Sequence, residues 1–222
     1  MSVAFEPILA RAIERHGEAE LTAHLPAVKS AAELAAVPDD RYLSQLALRV
    51  FRAGIKHSVV DQKWPAFEAA FHGFDPARVA AMTEEDLEPL MQNAGLIRHW
   101  GKLKSVLANA AALRLLSDAA GGFGRWLGEF PGNQTLDLWD VLAKRFSQFG
   151  GDSPARFLRM VGRDTFVFSG SVEAALKHWG ISDGAKGKAA RAAAALQFYR
   201  WAEATGRPLA HLSMILAYSV PD

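Results

Sequence analysis

Residues 157–176 read FLRMVGRDTFVFSGSVEAAL, and their reading decides the fold. Apolar residues at helical spacing run up to Gly162. Four β-prone residues follow (Thr165, Phe166, Val167 and Phe168), and a second amphipathic run opens after Ser169 and Gly170. The pattern predicts helix, glycine-flanked connector, helix, which is the layout of a helix-hairpin-helix element over about residues 153–180. A tight turn of this kind leaves backbone N–H groups unpaired at a helix N-terminus, where they can hold a phosphate. Gly162 and Gly170 let a phosphate approach the backbone closely, since neither carries a Cβ. Arg159 and Arg163 add charge beside it, and Ser169 and Ser171 read as helix caps.

Almost every other stretch also reads as helix. AFEPILARAIERHG places Phe5, Ile8, Leu9, Ala12 and Ile13 on one face and stops at Gly17. DDRYLSQLALRVFRAG is expected to begin on an Asp cap and to end at Gly54, and DPARVAAM to begin on Asp75 with Pro76 in the first turn. TEEDLEPLMQNAG carries the spacing of a capping box between Thr83 and Asp86. Trp64, Phe67, Phe71 and Phe74 recur at helical spacing and read as core. GFGRWLGEFPGNQ, at residues 122–134, is the most loop-like stretch and a candidate hinge. The fold class is therefore all-α, a helical bundle with one short extended connector. With 222 residues, it forms one helical domain or two lobes.

The net charge of +1 conceals an asymmetry. Residues 1–92 hold 9 Lys and Arg against 14 Asp and Glu, whereas residues 93–222 hold 16 against 10. A basic second half fits a surface that faces a polyanion. With no cysteine, disulfides, thiolate nucleophiles and Cys-ligated zinc are excluded. No apolar run approaches the roughly 20 residues of a membrane span, and no export signal is recognisable, so a cytoplasmic protein is expected.

Residues 92–105, QNAGLIRHWGKLKS, set Arg98, His99 and Lys102 between and beside Gly95 and Gly101 at a helix start. A core helix has no use for such a first turn. A helix end that meets an anion does.

The longer run FHGFDPARVAAMTEEDLEPLMQNAGLIRHWGKLKSVLANAAA resembles the central segment of the DNA-3-methyladenine glycosylase I family, a branch of the helix-hairpin-helix DNA glycosylases. The likeness rests on Phe71, Phe74-Asp75-Pro76, Val79-Ala80-Ala81-Met82, Glu84-Glu85-Asp86, Ala94-Gly95, Ile97-Arg98-His99 and Gly101-Lys102, and is good over roughly residues 50–112. The resemblance implies a monofunctional enzyme of base excision repair, acting as a monomer without metal or redox cofactor. Such an enzyme binds duplex DNA, flips a damaged base such as 3-methyladenine out of the stack and hydrolyses its bond to deoxyribose. It implies Arg49, His57 and Trp64 as pocket residues, and Gly54 with Ile55 as the wedge that fills the vacated stack. It implies Gly95, Arg98, His99, Gly101, Lys102, Gly162, Arg163 and Gly170 as contacts to the DNA backbone.

The chain also departs from this family. A pocket Glu is replaced by Arg49 and a pocket Trp by His57. The Cys and His residues that hold a zinc in the family have no counterpart here, so no metal is expected. Other helix-hairpin-helix glycosylases place a catalytic Asp at the start of the helix after the hairpin. The corresponding residue here is Gly170 or Ser171, and the nearest acids are Glu173, Asp183 and Asp164. A guanidinium cannot accept a proton. A second reading therefore stands beside the enzyme: a non-catalytic binder of damaged or bent DNA. A third is a helical protein that has kept only the scaffold.

Overall fold

The computed structural model describes residues 3–184 and 187–221. Fourteen α-helices occur among them, with no strand: α1 (Glu6–His16), α2 (Glu18–His24), α3 (Ala31–Ala35), α4 (Asp39–Arg52), α5 (His57–Ala70), α6 (Pro76–Ala80), α7 (Glu84–Leu87), α8 (Trp100–Ala120), α9 (Phe123–Glu129), α10 (Thr135–Arg145), α11 (Ser153–Val161), α12 (Gly170–His178), α13 (Lys188–Thr205) and α14 (Leu209–Tyr218). They form two compact units. One comprises residues 1–28, 132–136 and 164–222; the other comprises residues 29–131 and 137–163.

The first unit packs α1, α12 and α13 on α14. Leu212, Ile215 and Leu216 of α14 are fully buried. Phe166, from the extended connector, stacks on Phe198 of α13 at 4.8 Å between ring centres. The Val3 carbonyl accepts from the Trp201 indole at 2.7 Å and from the Gln197 amide at 3.1 Å. The connector therefore stays extended because its phenyl rings are core, not because it pairs as a strand.

The second unit is organised by α4, whose Tyr42, Leu43, Leu46, Ala47, Val50 and Phe51 are buried. The aromatic residues expected in the core are there: Phe67, Phe71 and Phe74 have no exposed surface. Trp64 stacks on Phe67 and Phe74 at 5.1 and 5.4 Å. Asp75 caps α6 by accepting from Ala77 N and Arg78 N, and Thr83 with Asp86 closes a capping box on α7. Asn109, buried within α8, donates to Ser147 O and accepts from Ser147 N, so it pins the chain just beyond α10.

Two expectations are corrected. Residues 122–134 are not a continuous loop: Phe123–Glu129 is helical, and Gly124 lets α9 press against α3, while the division between the two units falls at Pro131–Gly132, within the same stretch. A Cβ on Gly124 would lie 2.0 Å from the Leu34 carbonyl oxygen and 2.9 Å from the Tyr42 ring. Two of the glycines that made the stretch look like a loop, Gly124 and Gly128, are close-contact residues against α3. Asp39 does not cap its own helix, which starts behind Pro38 without a side-chain cap. Its carboxylate accepts instead from Phe123 N at 3.0 Å and from the Ser117 hydroxyl, capping α9 and holding the end of α8.

The Leu34 carbonyl is thus the meeting point of α3, α4 and α9, and it accepts the Tyr42 hydroxyl at 2.8 Å. Burial, aided by the Asp39 charge, pushes the Tyr42 phenol up to about 12 from its ordinary 10.0. A phenol raised in the folded state contributes stability below pH 10 that is lost as the pH climbs through 12. The expected alkaline loss is at most about 2–3 kcal/mol, and Tyr42→Phe should flatten it in pH-dependent denaturant titrations. Gly124→Ala should lower stability by about 1–3 kcal/mol through overpacking, read as a fall in Tm of about 2–4 °C for each kcal/mol.

Candidate functional site

The turn between α4 and α5 runs through Ala53, Gly54, Ile55 and Lys56. Gly54 takes φ +77° and is exposed, with Ile55 half-buried beside it. The left-handed backbone at Gly54 is what turns the chain. Lys102, in the first turn of α8, braces it: its ammonium donates to Ala53 O at 2.6 Å and to Phe51 O at 3.3 Å, and lies 6.0 Å from the Phe51 ring centre. A cation on the last carbonyls of a helix is favourable twice, through hydrogen bonds and through the helix dipole. Burial, with a smaller contribution from the Arg49 charge, lowers the Lys102 pKa. Lys102 is only 8% exposed, so the ammonium expected at a phosphate is engaged inside the protein.

The other residues of the α8 start divide in the same way. His99 caps the helix by accepting the Lys102 N–H at Nδ1, 3.3 Å away, which requires Nδ1 to be unprotonated. Arg98 is exposed and has no side-chain partner among the described residues. Gly95 donates its N–H to Asn93 Oδ1 at 2.8 Å, and a Cβ there would meet Ala66 at 3.4 Å. A Cβ on Gly101 would make only ordinary contact with the His99 ring at 3.5 Å. Gly95 thus serves the approach to α5, and of the expected backbone contacts in this segment Arg98 and His99 face solvent.

His57 is the first residue of α5, exposed and without a side-chain hydrogen bond. Trp64 is half-buried, and its indole N–H donates to Ser44 Oγ at 3.1 Å. Ser44 in turn donates to Glu68 Oε1 at 2.6 Å, and Arg41 forks onto both Glu68 oxygens at 3.1 and 3.2 Å. No sequence signal had linked Ser44, Glu68 and Arg41 to Trp64.

Arg49 is different in kind. It lies on α4 with 9% of its surface exposed, and its buried Nε has no hydrogen-bond partner. No ion pair neutralises it among the described residues. Burial lowers its pKa first, and the charges of Arg156 and Arg52 lower it further against a weaker pull from Asp152. The neighbouring acids are already engaged: Arg52 Nε and Nη2 both donate to Asp61 Oδ1 at 2.9 and 2.7 Å, and Asp152 faces Arg156 at 3.8 Å. A guanidinium cannot shed its proton, so this is a buried cation with unused donor capacity.

The hairpin residues fall on both sides of the unit boundary. In the second unit, Gly162 ends α11 at φ +84°, and Arg163 N donates back to Leu158 O at 2.9 Å, closing a Schellman turn. A Cβ on Gly162 would sit 3.0 Å from Lys29 Cγ. The Arg163 guanidinium donates to Leu127 O at 3.0 Å and Phe130 O at 2.7 Å, at the end of α9. In the first unit, Asp164 accepts from Leu209 N and Ala210 N at 3.0 and 2.9 Å, which makes it the cap of α14. Ser169 caps α12 by accepting from Val172 N. Gly170 is exposed, with nothing within 4 Å of a Cβ position, so the start of α12 is open to approach. Glu173 lies exposed in the first turn of that helix, and Asp183 is exposed beyond it.

Among the described residues no group of three or more His, Asp or Glu side chains is placed to hold a metal ion. A cleft of about 320 Å³ in the second unit is lined by His72, Arg78, Met82, Asp86 and Leu90, and contains none of the expected pocket residues. No helix of the described residues is long and apolar enough to cross a membrane.

The methyladenine glycosylase family model matches residues 34–149, which is the α3 to α10 segment carrying Arg49, the α4–α5 turn and the α8 start. The chain belongs to the methyladenine glycosylase family. The DNA-3-methyladenine glycosylase 1 of Escherichia coli K12 is 43% identical over 72 residues, 32% of this chain and 38% of that protein. The Haemophilus influenzae DNA-3-methyladenine glycosylase is 31% identical over 96 residues, 43% of this chain and 52% of that one. The matches thus span between about a third and a half of those relatives. A crystal structure of 3-methyladenine DNA glycosylase I superposes with a TM-score of 0.52 at 25% identity, covering 72% of this chain and 90% of that one. The 8-oxoguanine glycosylase/lyase of Methanocaldococcus jannaschii, solved with DNA, reaches 0.56 over 96% of this chain and 94% of its own at 12% identity, which shows a shared fold.

Within this family framework, two variants separate the buried cations. Lys102→Met leaves two helix-end carbonyls without their donor and should cost about 1–3 kcal/mol, seen as a lower Tm. Arg49→Met removes an uncompensated buried charge and should raise Tm by about 2–4 °C for each kcal/mol recovered.

Proposed function

We propose that this chain is a DNA glycosylase of base excision repair, which extrudes a damaged base from duplex DNA and hydrolyses its bond to deoxyribose. The observation that carries this reading is the family match over residues 34–149. The geometry within that segment supports it. The exposed Gly54 turn with Ile55 is braced from behind by Lys102, so an apolar side chain at the tip can enter a base stack without the loop giving way. Exposed Arg98 and His99 lie on α8's approach to the same brace and supply phosphate contacts. Gly170, at the open start of α12, supplies a further backbone approach. Within this reading His57, Trp64 and Arg49 are the residues that receive the extruded base. In the reaction, water adds at C1′, the C1′–N bond breaks, and the base leaves with the bonding electron pair. The protein acts as a monomer in the cytoplasm, without a cofactor, and does not cleave the strand.

The relatives' names specify 3-methyladenine, an alkylated base that is cationic in DNA, and methylated duplex is accordingly the first substrate to try. Release of free purine, identified by mass spectrometry, is the expected outcome, and Ile55→Ala should slow it on the order of tenfold by weakening extrusion. No released base from any damaged duplex would overturn the enzyme.

One observation favours the alternative of a non-catalytic binder of damaged or bent DNA. The only acid within the connector, Asp164, commits both oxygens to amides of α14. Such a binder would show salt-dependent affinity for damaged duplex and no free base.

A further inference from the structure

Arg49 is 9% exposed, and the buried Nε of its guanidinium has no acceptor. Native proteins satisfy more than nine in ten of their buried polar groups, and an unsatisfied one costs free energy that folding alone does not return. The local charge makes this more acute. Lys102, Arg52 and Arg156 act on the same region, the acids Asp61 and Asp152 face other cations, and the two carbonyls at the end of α4 are taken by Lys102. What would complete the site is an acceptor atom for Nε from outside the chain, and the planar fork offers a second donor beside it. A cationic ligand would complete nothing and would add one more like charge.

We propose that Arg49 receives the acceptor edge of an uncharged, carbonyl-bearing base, and that this base, not a cationic alkylpurine, is what the pocket is built to release. This rests on the glycosylase reading and narrows it. A planar guanidinium fork matches two acceptors in one plane, as on the O6/N7 edge of a purine. The chemistry of departure points the same way. A cationic base leaves as a neutral molecule and needs no help. An uncharged base leaves carrying the bonding pair and becomes an anion until it takes a proton from water. Fixed N–H donors aimed at its carbonyl oxygens, in a site shielded from solvent, stabilise that developing charge. Arg49 thereby replaces what a carboxylate does for a positively charged base with the complementary arrangement.

The test uses the full chain and its Arg49→Gln, Arg49→Lys and Arg49→Glu variants. The substrates are methylated duplex containing 3-methyladenine and 7-methylguanine, and duplexes with one hypoxanthine, uracil or 8-oxoguanine. Base release and duplex affinity are measured on each, with Tm confirming that every variant is folded. The wild type is expected to release at least one of the uncharged bases faster than 3-methyladenine. Arg49→Gln should lower that release on the order of 10²–10³-fold. Arg49→Lys, which keeps the charge and loses the fork, should fall between, and Arg49→Glu should shift preference toward the methylated purines. Faster release of 3-methyladenine than of every uncharged base by the wild type overturns the proposal.

Should no base be released from any substrate, the enzyme reading fails and the affinities decide. Tighter wild-type binding to an uncharged lesion, lost in Arg49→Gln, would uphold Arg49 as its receptor in a non-catalytic protein. Equal weakening on all duplexes, with the salt slope reduced by about one, would assign the guanidinium to a phosphate and sink the proposal.

Discussion

One ammonium group holds the candidate site in register. Lys102 reaches from the start of α8 to the last carbonyls of α4 and satisfies two of the acceptors that every helix end leaves open. The α4–α5 turn, with Gly54 and Ile55 at its tip, hangs from those carbonyls. Because the ammonium is buried, its hydrogen bonds are not diluted by competing water, and the turn is fixed more firmly than an exposed loop would be. The same position brings a second positive charge toward Arg49. The brace therefore adds its charge to those of Arg156 and Arg52 around Arg49.

A helical site of this kind must set stability against recognition. The surrounding unit is closely packed: Gly124 lies against the Leu34 carbonyl, the aromatic rings from Trp64 to Phe74 stack on one another, and Asn109 closes both hydrogen bonds of Ser147. Against that background a guanidinium without an acceptor stands out. Rigid packing is also what allows the charge to persist, because a softer core would let Arg49 swing into solvent.

Much of this was legible in the sequence, and the failures share a physical cause. Helical periodicity identified most of the helices, the Asp75 and Thr83 caps, and the aromatic core, because those signals are local. Arg49 stood out as an expected pocket residue on the strength of the resemblance, but its want of a hydrogen-bond partner could not be read there. The misread positions were those whose partner lies far along the chain. Asp39 looked like a cap for the helix it begins, yet its acceptors serve Phe123 and Ser117. Gly124 and Gly128 looked like loop residues because no sequence window shows that α3 will press against them. Lys102 and Arg163 carried the charge expected of phosphate ligands, but carbonyls at the ends of α4 and α9 claimed them. The Ser44–Glu68–Arg41 network left no pattern at all, since serine, glutamate and arginine on two helices are ordinary until packing brings them together.

The grip on the Val3 carbonyl bears on the order in which the chain assembles. Its donors, Gln197 and Trp201, lie almost two hundred residues later, and the rest of that unit is likewise drawn from distant segments. Closing so long a loop is entropically slow, while the segment between residues 29 and 131 is continuous and dominated by neighbouring helices. During synthesis the unit that carries Arg49 can therefore condense while residues 3–28 still wait for their partners. The apolar face of α1, with Ile8 and Ala12, lacks its later partner α14 for that interval, so a surface that the finished unit buries is open to other apolar surfaces while the chain is still being made.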